Sequence, residues 1–302
     1  MSASAITVAE VRPALLTTAR DYVTLTKPRI AVLVLITTAV AAQLASWGQV
    51  DPWRLFWTLL GTAAFAASAS ALNQLMEVPQ DGTMRRTKQR PLPAGRLTSA
   101  AVVTFAVVTL IAGHLILGLL VNVQAMGWGL ATWAVYVLAY TPLKTRSSVN
   151  TAVGAVSGAL PVLIGWSSTD VALDYRAWAM FGVLFLWQFP HFMAIAWLYR
   201  REYDQAGFKM LTTVDATGRR AGVQAVLAAA AVVPVSLIPA LGVPTPVAAW
   251  YMLIAFALGL AQWALAGRFM LRRDDVSARW LLRASLIYLP SILLLLLLFP
   301  WA

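Results

Sequence analysis

Asn73, Glu77 and Asp81 stand four residues apart. On a helix this spacing puts all three on one face, each step rising about 6 Å. Two carboxylates and an amide oxygen form a hard-ligand set, suited to a Mg²⁺ ion that keeps several waters and bridges a phosphate-bearing substrate. Arg85, Arg86, Lys88 and Arg90 follow at once. Mutual salt bridging in a surface loop would account for acids beside bases. The forked fit of guanidinium to phosphate oxygens points instead to a metal–diphosphate site. Thr87 and the Arg90-Pro91 step give the loop a defined shape, which favours the second reading. Pro79 interrupts the ladder and Gly82 is a stop signal, so Asp81 is expected just past the helix end.

The elements that must position these groups are apolar. The chain has 302 residues, 60% hydrophobic and 12% charged, and this much apolar surface requires lipid to cover part of it. Nine segments reach or approach the length needed to span a bilayer: 30–48, 55–78, 98–119, 125–141, 149–167, 177–199, 221–241, 247–267 and 284–300. The expected fold is all-α, a bundle of about nine transmembrane helices in a single domain over 1–302, with 1–24 as a cytoplasmic tail. The first twenty residues lack the long apolar core of a cleaved signal peptide. There is no cysteine, which excludes disulfides, thiolate metal sites and a cysteine nucleophile. No internal repeat stands out.

Of the 23 Lys and Arg, only Arg54 and Arg176 fall on one side of the alternating loops. The rest sit in the tail to Arg29 and in 79–97, 142–148, 200–220 and 268–283. The positive-inside rule then puts the N-terminus in the cytoplasm and the C-terminus on the opposite side. Topology alone accounts for Arg12, Arg20 and the 268–283 loop, with surface attraction to lipid adding to it. The net charge of +11 therefore speaks for a membrane rather than for nucleic acid. Carboxylates at a membrane boundary are costly and mark function.

At this point the sequence resembles a known family. Asn73 to Leu92 reads Asn-x-x-x-Glu-x-x-x-Asp-x-x-Met-x-Arg-Thr-x-x-Arg-Pro-Leu. It is similar to the first acidic motif of the UbiA-type intramembrane prenyltransferases, and its Met-x-Arg-Thr-x-x-Arg-Pro portion to their heme O synthase (protoheme IX farnesyltransferase) branch. The likeness runs from about 24 to 225. Leu25-Thr-Lys-Pro-Arg29 is similar to the family's entry into its first helix, where snorkelling explains Lys27 and Arg29 as well as catalysis does. Tyr140-Thr-Pro-Leu-Lys144-Thr-Arg146 departs from the family's adjacent Lys-Arg, leaving open which cation reaches diphosphate. Asn150 is a helix cap or a substrate contact, and Gly154 and Gly158 read as helix packing.

Trp187-Gln188-Phe-Pro-His191-Phe192 is the segment most specific to the heme O synthase branch. His114 is read as an interior histidine without a role. Gln188 shares a face with His191, and Pro190 frees a nearby carbonyl. His191 could bind a porphyrin iron or move a proton. Tyr199-Arg-Arg-Glu202-Tyr203-Asp204-Gln-Ala-Gly207-Phe-Lys209 resembles the second acidic motif, with Glu202 where Asp is common and Asp204 an added acid. Tyr203 shields a cationic intermediate or belongs to the interfacial aromatic belt.

The resemblance implies a farnesyl transfer from farnesyl diphosphate to a vinyl group of heme B, with water trapping the resulting cation, giving heme O and diphosphate. Heme B is then a substrate, and Mg²⁺ the cofactor. Asn73, Glu77, Asp81, Glu202 and Asp204 would hold the metal. Arg86, Arg90, Lys144, Arg146 and Lys209 would hold the diphosphate. Trp187, Gln188 and His191 would face heme, and Tyr203 and His191 would join the catalytic set. The implied setting is a bacterial inner membrane, with a downstream heme A synthase as partner in terminal-oxidase biogenesis. Two alternatives stand beside this reading: a relative that prenylates an aromatic quinone precursor, and a secondary transporter with midplane charges. Two acidic motifs on one face, each followed by cations, speak against the transporter.

Overall fold

The computed structural model describes residues 14–241 and 246–298. Its described residues are helical, without strands. The helices are α1 (Ala14–Leu25), α2 (Pro28–Ala45), α3 (Pro52–Met76), α4 (Val78–Thr83), α5 (Ser99–Leu120) and α6 (Val123–Ala134). Alpha6 runs on as a π-helix (Val135–Tyr140) and a last turn, α7 (Thr141–Leu143). There follow α8 (Asn150–Ala159), α9 (Pro161–Ser167), α10 (Tyr175–Leu198), α11 (Arg200–Gln205), α12 (Leu211–Val214), α13 (Arg219–Leu237), α14 (Pro246–Arg272) and α15 (Asp275–Leu298).

Seven of these are long and apolar enough to cross a membrane: α2, α3, α5, α10, α13 (counted on to Ala240), α14 and α15. The other two expected segments, 125–141 and 149–167, fall on helical stretches divided between α6, the π-helix and α7 and between α8 and α9, so the count of nine is not confirmed. The first is interrupted by the π-helix, the second by Pro161, which lacks the N–H that would continue the ladder. Proline also opens α2, α3 and α4 in their first turns, where no N–H is needed. Side-chain caps serve helix starts: Asp51 accepts from Trp53 N beside Pro52, Thr98 from Ala101 N, Asn122 from Ala125 N, and Asp174 from Arg176 N.

Two sequence expectations are corrected here, and a third lies partly outside the described residues. The last span begins at Asp275 rather than 284, because α14 and α15 are joined by only two residues and the basic stretch 268–283 is mostly helix. Residues 1–13 of the expected tail lie outside the described residues, and the remainder is α1. Asp81 is inside a helix, not past one: α3 ends at Met76, and Pro79 starts α4 instead of ending α3.

The main packing partners are α3 with α5, α10 with α13 and α15, α13 with α14, and α2 with α9. The α2–α9 seam is close. A Cβ at Gly165 would lie 2.0 Å from the carbonyl oxygen of Thr38, so only glycine lets the backbones meet. Gly154 and Gly158 also pack, against Tyr140 and Gln188. At the end away from the acidic motif, the Arg54–Asp170 ion pair, with Asn122 donating to Asp170 at 2.7 Å, ties α3 to the α9–α10 and α5–α6 connections.

Candidate active site

One cavity of about 540 Å³ opens among α2, α3, the π-helix, α8, α10 and the 84–90 turn. Its polar end is built on the acidic face of α3–α4. Backbone hydrogen bonds run Glu77 N to Asn73 O at 3.1 Å and Asp81 N to Glu77 O at 2.7 Å, so the four-residue ladder survives the change of helix. All three side chains are buried, which brings them together as the spacing predicts.

Each has a cationic partner. Lys144 Nζ donates to Glu77 Oε1 at 2.6 Å, and Arg90 to Asp81 Oδ2 at 2.6 Å. Lys27 Nζ donates to Asn73 Oδ1 at 2.6 Å, while Asn73 Nδ2 donates to Thr141 Oγ1 at 3.1 Å. Burial raises the carboxyl pKa of Asp81, against the opposing pull of Arg90. Burial opposes charge on Lys144, but Tyr140 and Glu77 more than offset it and hold the ammonium above its ordinary value. Burial, with repulsion from Lys144, brings Lys27 down to about 7.

Lys27 is the residue that the sequence left undecided. It sits at φ 49°, in the left-handed region, immediately before Pro28. That conformation costs a non-glycine residue on the order of 1–3 kcal/mol and persists where the surroundings enforce it. Gln74 does so by donating to Leu25 O at 2.9 Å, and Arg96 pairs with Asp21 at 3.0 Å to hold α1 down. The Leu-Thr-Lys-Pro-Arg segment carried the signal; its contact with Asn73 did not show in the sequence.

The remaining site residues divide. Arg86 lines the cavity, stacks over Tyr199 at 5.0 Å and donates to the Tyr203 hydroxyl at 3.4 Å. Tyr203 also lines it. Of the two cations left open, Lys144 lines the cavity, while Arg146 is exposed and does not. Lys209 contributes backbone: its N donates to Lys144 O at 2.6 Å, and its O accepts from Asn150 Nδ2 at 2.9 Å. Asn150 is therefore a clasp between two loops and not a cap, a position held by Val149. Glu202 and Asp204 do not line the cavity. Among the described residues no three His, Cys, Asp or Glu side chains are grouped as a metal cluster. Asn73 does not line the cavity either, being fully buried with its oxygen on Lys27. The acids that face the cavity are Glu77 and Asp81, two hard carboxylates of the kind that suits a divalent ion whose other positions go to water and phosphate.

Further in, the walls are aromatic and apolar. The π-helix turns Tyr136 and Tyr140 to the cavity, ring centroids 5.2 Å apart, with Phe65 and Trp133 beside them. π-Helical turns concentrate at functional sites; the Tyr-x-x-x-Tyr spacing was the unread signal. Trp187, Gln188 and His191 line the same cavity from α10. Gln188 donates to Ala155 O and Leu184 O, and Trp187 Nε1 to Ser285 O at 2.7 Å. His114 is exposed on α5, away from these walls, in place of the interior position expected.

The model of the UbiA prenyltransferase family matches residues 34–299. Among curated relatives, the chain is 43% identical to a protoheme IX farnesyltransferase of Rhodopirellula baltica, over 89% of this chain and 96% of that protein. It is 42% identical to the protoheme IX farnesyltransferase of Solibacter usitatus, over 90% and 96%. Among solved structures, a digeranylgeranylglyceryl phosphate synthase superposes with a TM-score of 0.77 at 14% identity, covering 94% of this chain and 98% of that one. A UbiA homolog from Archaeoglobus fulgidus bound to GPP and Mg²⁺ gives 0.67 at 15%, covering 92% and 99%. With a family model spanning most of its length and relatives above 40% identity over about nine-tenths of it, the chain belongs to the UbiA prenyltransferase family.

Proposed function

We propose that this protein transfers the farnesyl group of farnesyl diphosphate to a vinyl group of heme B, with addition of water, giving heme O and diphosphate. The observation that carries the reading is the single cavity that joins an acid-and-cation end to a wall formed by Trp187, Gln188 and His191. Relatives named for this reaction, at 43% and 42% identity, support the choice of acceptor.

The cations act on the leaving group. Lys27, Arg86, Arg90 and Lys144 surround the place where a diphosphate would lie, and ionisation of an allylic diphosphate is limited by the charge left on that group. A divalent ion held by Glu77 and Asp81 would add to this neutralisation, with Asn73 behind them positioning Lys27. The metal-bound A. fulgidus homolog is consistent with such an ion here. Arg146, Lys209, Glu202 and Asp204 belong to the margins: the first two shape or charge the mouth, and the acids lie outside the cavity.

The allylic cation must then survive until the vinyl carbon reaches it. Tyr136, Tyr140, Phe65 and Trp133 present π-faces, which favour cationic carbon and exclude water. Tyr203 closes the polar end, where its hydroxyl accepts from Arg86. The new carbon–carbon bond leaves a cation beside the porphyrin; water adds there and releases a proton.

The chain is a multi-pass membrane protein, and its loop charges support a cytoplasmic N-terminus in a bacterial inner membrane. Its product is the kind of compound that a heme A synthase would consume. Reconstitution of purified protein with heme B, farnesyl diphosphate and Mg²⁺ tests the reading by mass spectrometry of the pigment. One added farnesyl and one hydroxyl group, lost with a chelator, is the expected result. Release of diphosphate with unchanged heme would overturn the acceptor.

A further inference from the structure

His191 Nδ1 lies 2.9 Å from Ser285 Oγ on α15, and the two residues are 94 apart in sequence. The serine has one hydroxyl hydrogen, and Ser285 Oγ is also 2.7 Å from Leu282 O, an acceptor only. If the hydroxyl donates to Leu282 O, its oxygen can accept from Nδ1–H, and both contacts become hydrogen bonds. The opposite assignment makes only one of them a bond and leaves an N–H on Nε2 to find an acceptor in an apolar site. Inside a membrane the arrangement with more bonds is strongly preferred.

The ring is held from other sides too. Trp187 stacks on it with centroids 4.8 Å apart and planes 23° apart, and Phe192 meets it at 63°. The Trp187 indole donates to Ser285 O at 2.7 Å, so one fully buried residue holds both His191 and the tryptophan stacked on it. Leu289, one turn beyond Ser285, lines the cavity, as His191 does. Among the described residues Nε2 has no hydrogen-bond partner, and it is not among the atoms sealed from contact without one.

We propose that Ser285 is a positioning residue that fixes His191 as the Nδ1–H tautomer and turns the Nε2 lone pair toward the iron of the heme acceptor. This rests on heme being the acceptor. A histidine that ligates a metal through one nitrogen characteristically donates from the other to a fixed acceptor. Here that acceptor is a serine hydroxyl, whose own hydrogen is already committed to the helix.

The chain has two histidines, so a His114→Gln background leaves His191 alone. With ¹⁵N-labelled imidazole, nuclear magnetic resonance of the full-length protein should show hydrogen on Nδ1 and none on Nε2, before any heme is added. Ser285→Ala should yield a mixture of tautomers; Ser285→Thr, which keeps the hydroxyl, should restore the single form. In heme titrations followed by absorbance, Ser285→Ala should lose on the order of tenfold in affinity, with KM for farnesyl diphosphate unchanged and Ser285→Thr close to wild type. Hydrogen on Nε2 in a wild-type protein that still farnesylates heme would overturn the inference and leave the reaction standing. Equal heme affinity in wild type and Ser285→Ala would do the same. Failure of the wild-type protein to bind heme at all would overturn both.

Discussion

Lys144 Nζ lies 2.6 Å from Glu77 Oε1 and 4.7 Å from the centre of the Tyr140 ring, so one ammonium links the acidic motif to the aromatic wall. Arg146, two residues on, reaches neither. Lys144→Met should lower kcat on the order of 100-fold, the usual cost of removing one donor from a developing anion. Arg146→Met should stay within about threefold of wild type, since exposed charges act weakly. Steady-state kinetics of the two variants in detergent decides between the two cations, and equal losses would refute the assignment.

Glu77→Gln combined with Asp81→Asn keeps the shape of both side chains and removes both charges. Activity should fall below about 1% of wild type, while helix content and the elution volume on size exclusion hold. Turnover near wild type in this variant would end the metal–diphosphate reading of the α3–α4 face.

His191→Ala should weaken use of heme far more than use of farnesyl diphosphate, because the ring lies on the α10 wall and not among the cations. The split is read by varying each substrate at saturation of the other. Unchanged kinetics for both would make His191 a packing residue.

Gly165→Ala puts a Cβ against the Thr38 carbonyl. Overpacking of this kind costs about 1–3 kcal/mol. The melting temperature in detergent should fall, and heme O yield per folded molecule should not. An unaltered melt would mean that the α2–α9 seam is looser than it looks.

The protein lacks cysteine, so single cysteines report cleanly. Lys88→Cys and Gln49→Cys, both at exposed positions, should react with an impermeant maleimide from opposite faces of the membrane, Lys88→Cys from the cytoplasm. Labelling from one face would refute the topology.

The helical bundle was legible because lipid imposes long apolar runs, and the acidic ladder because i, i+4 spacing is local. Local spacing also mislocated details. Pro79 reads as a terminator, yet it initiates α4, since a proline in a first turn and a proline in a helix interior look alike in sequence. The second acidic motif is legible as a pair of acids around Tyr203, but only Tyr203 lines the cavity while Glu202 and Asp204 do not, a difference that depends on the tertiary path of 200–210. Lys27, Tyr136 and Ser285 come from three distant segments. Their roles arise from a left-handed turn, a π-helical turn and a contact across 94 residues, and spacing along the chain does not show which groups these bring together.

Four cations (Lys27, Arg86, Arg90, Lys144) and two carboxylates (Glu77, Asp81) line the cavity. Four minus two leaves a formal excess of two positive charges, or one where Lys27 has lost its proton. A free dication therefore approaches a chamber of its own sign, despite the acids. A diphosphate already carrying the ion approaches as an anion, is drawn in, and can take over the guanidinium and ammonium groups that occupy the carboxylates. On this reading electrostatics would favour a metal that arrives with the substrate over one that arrives alone.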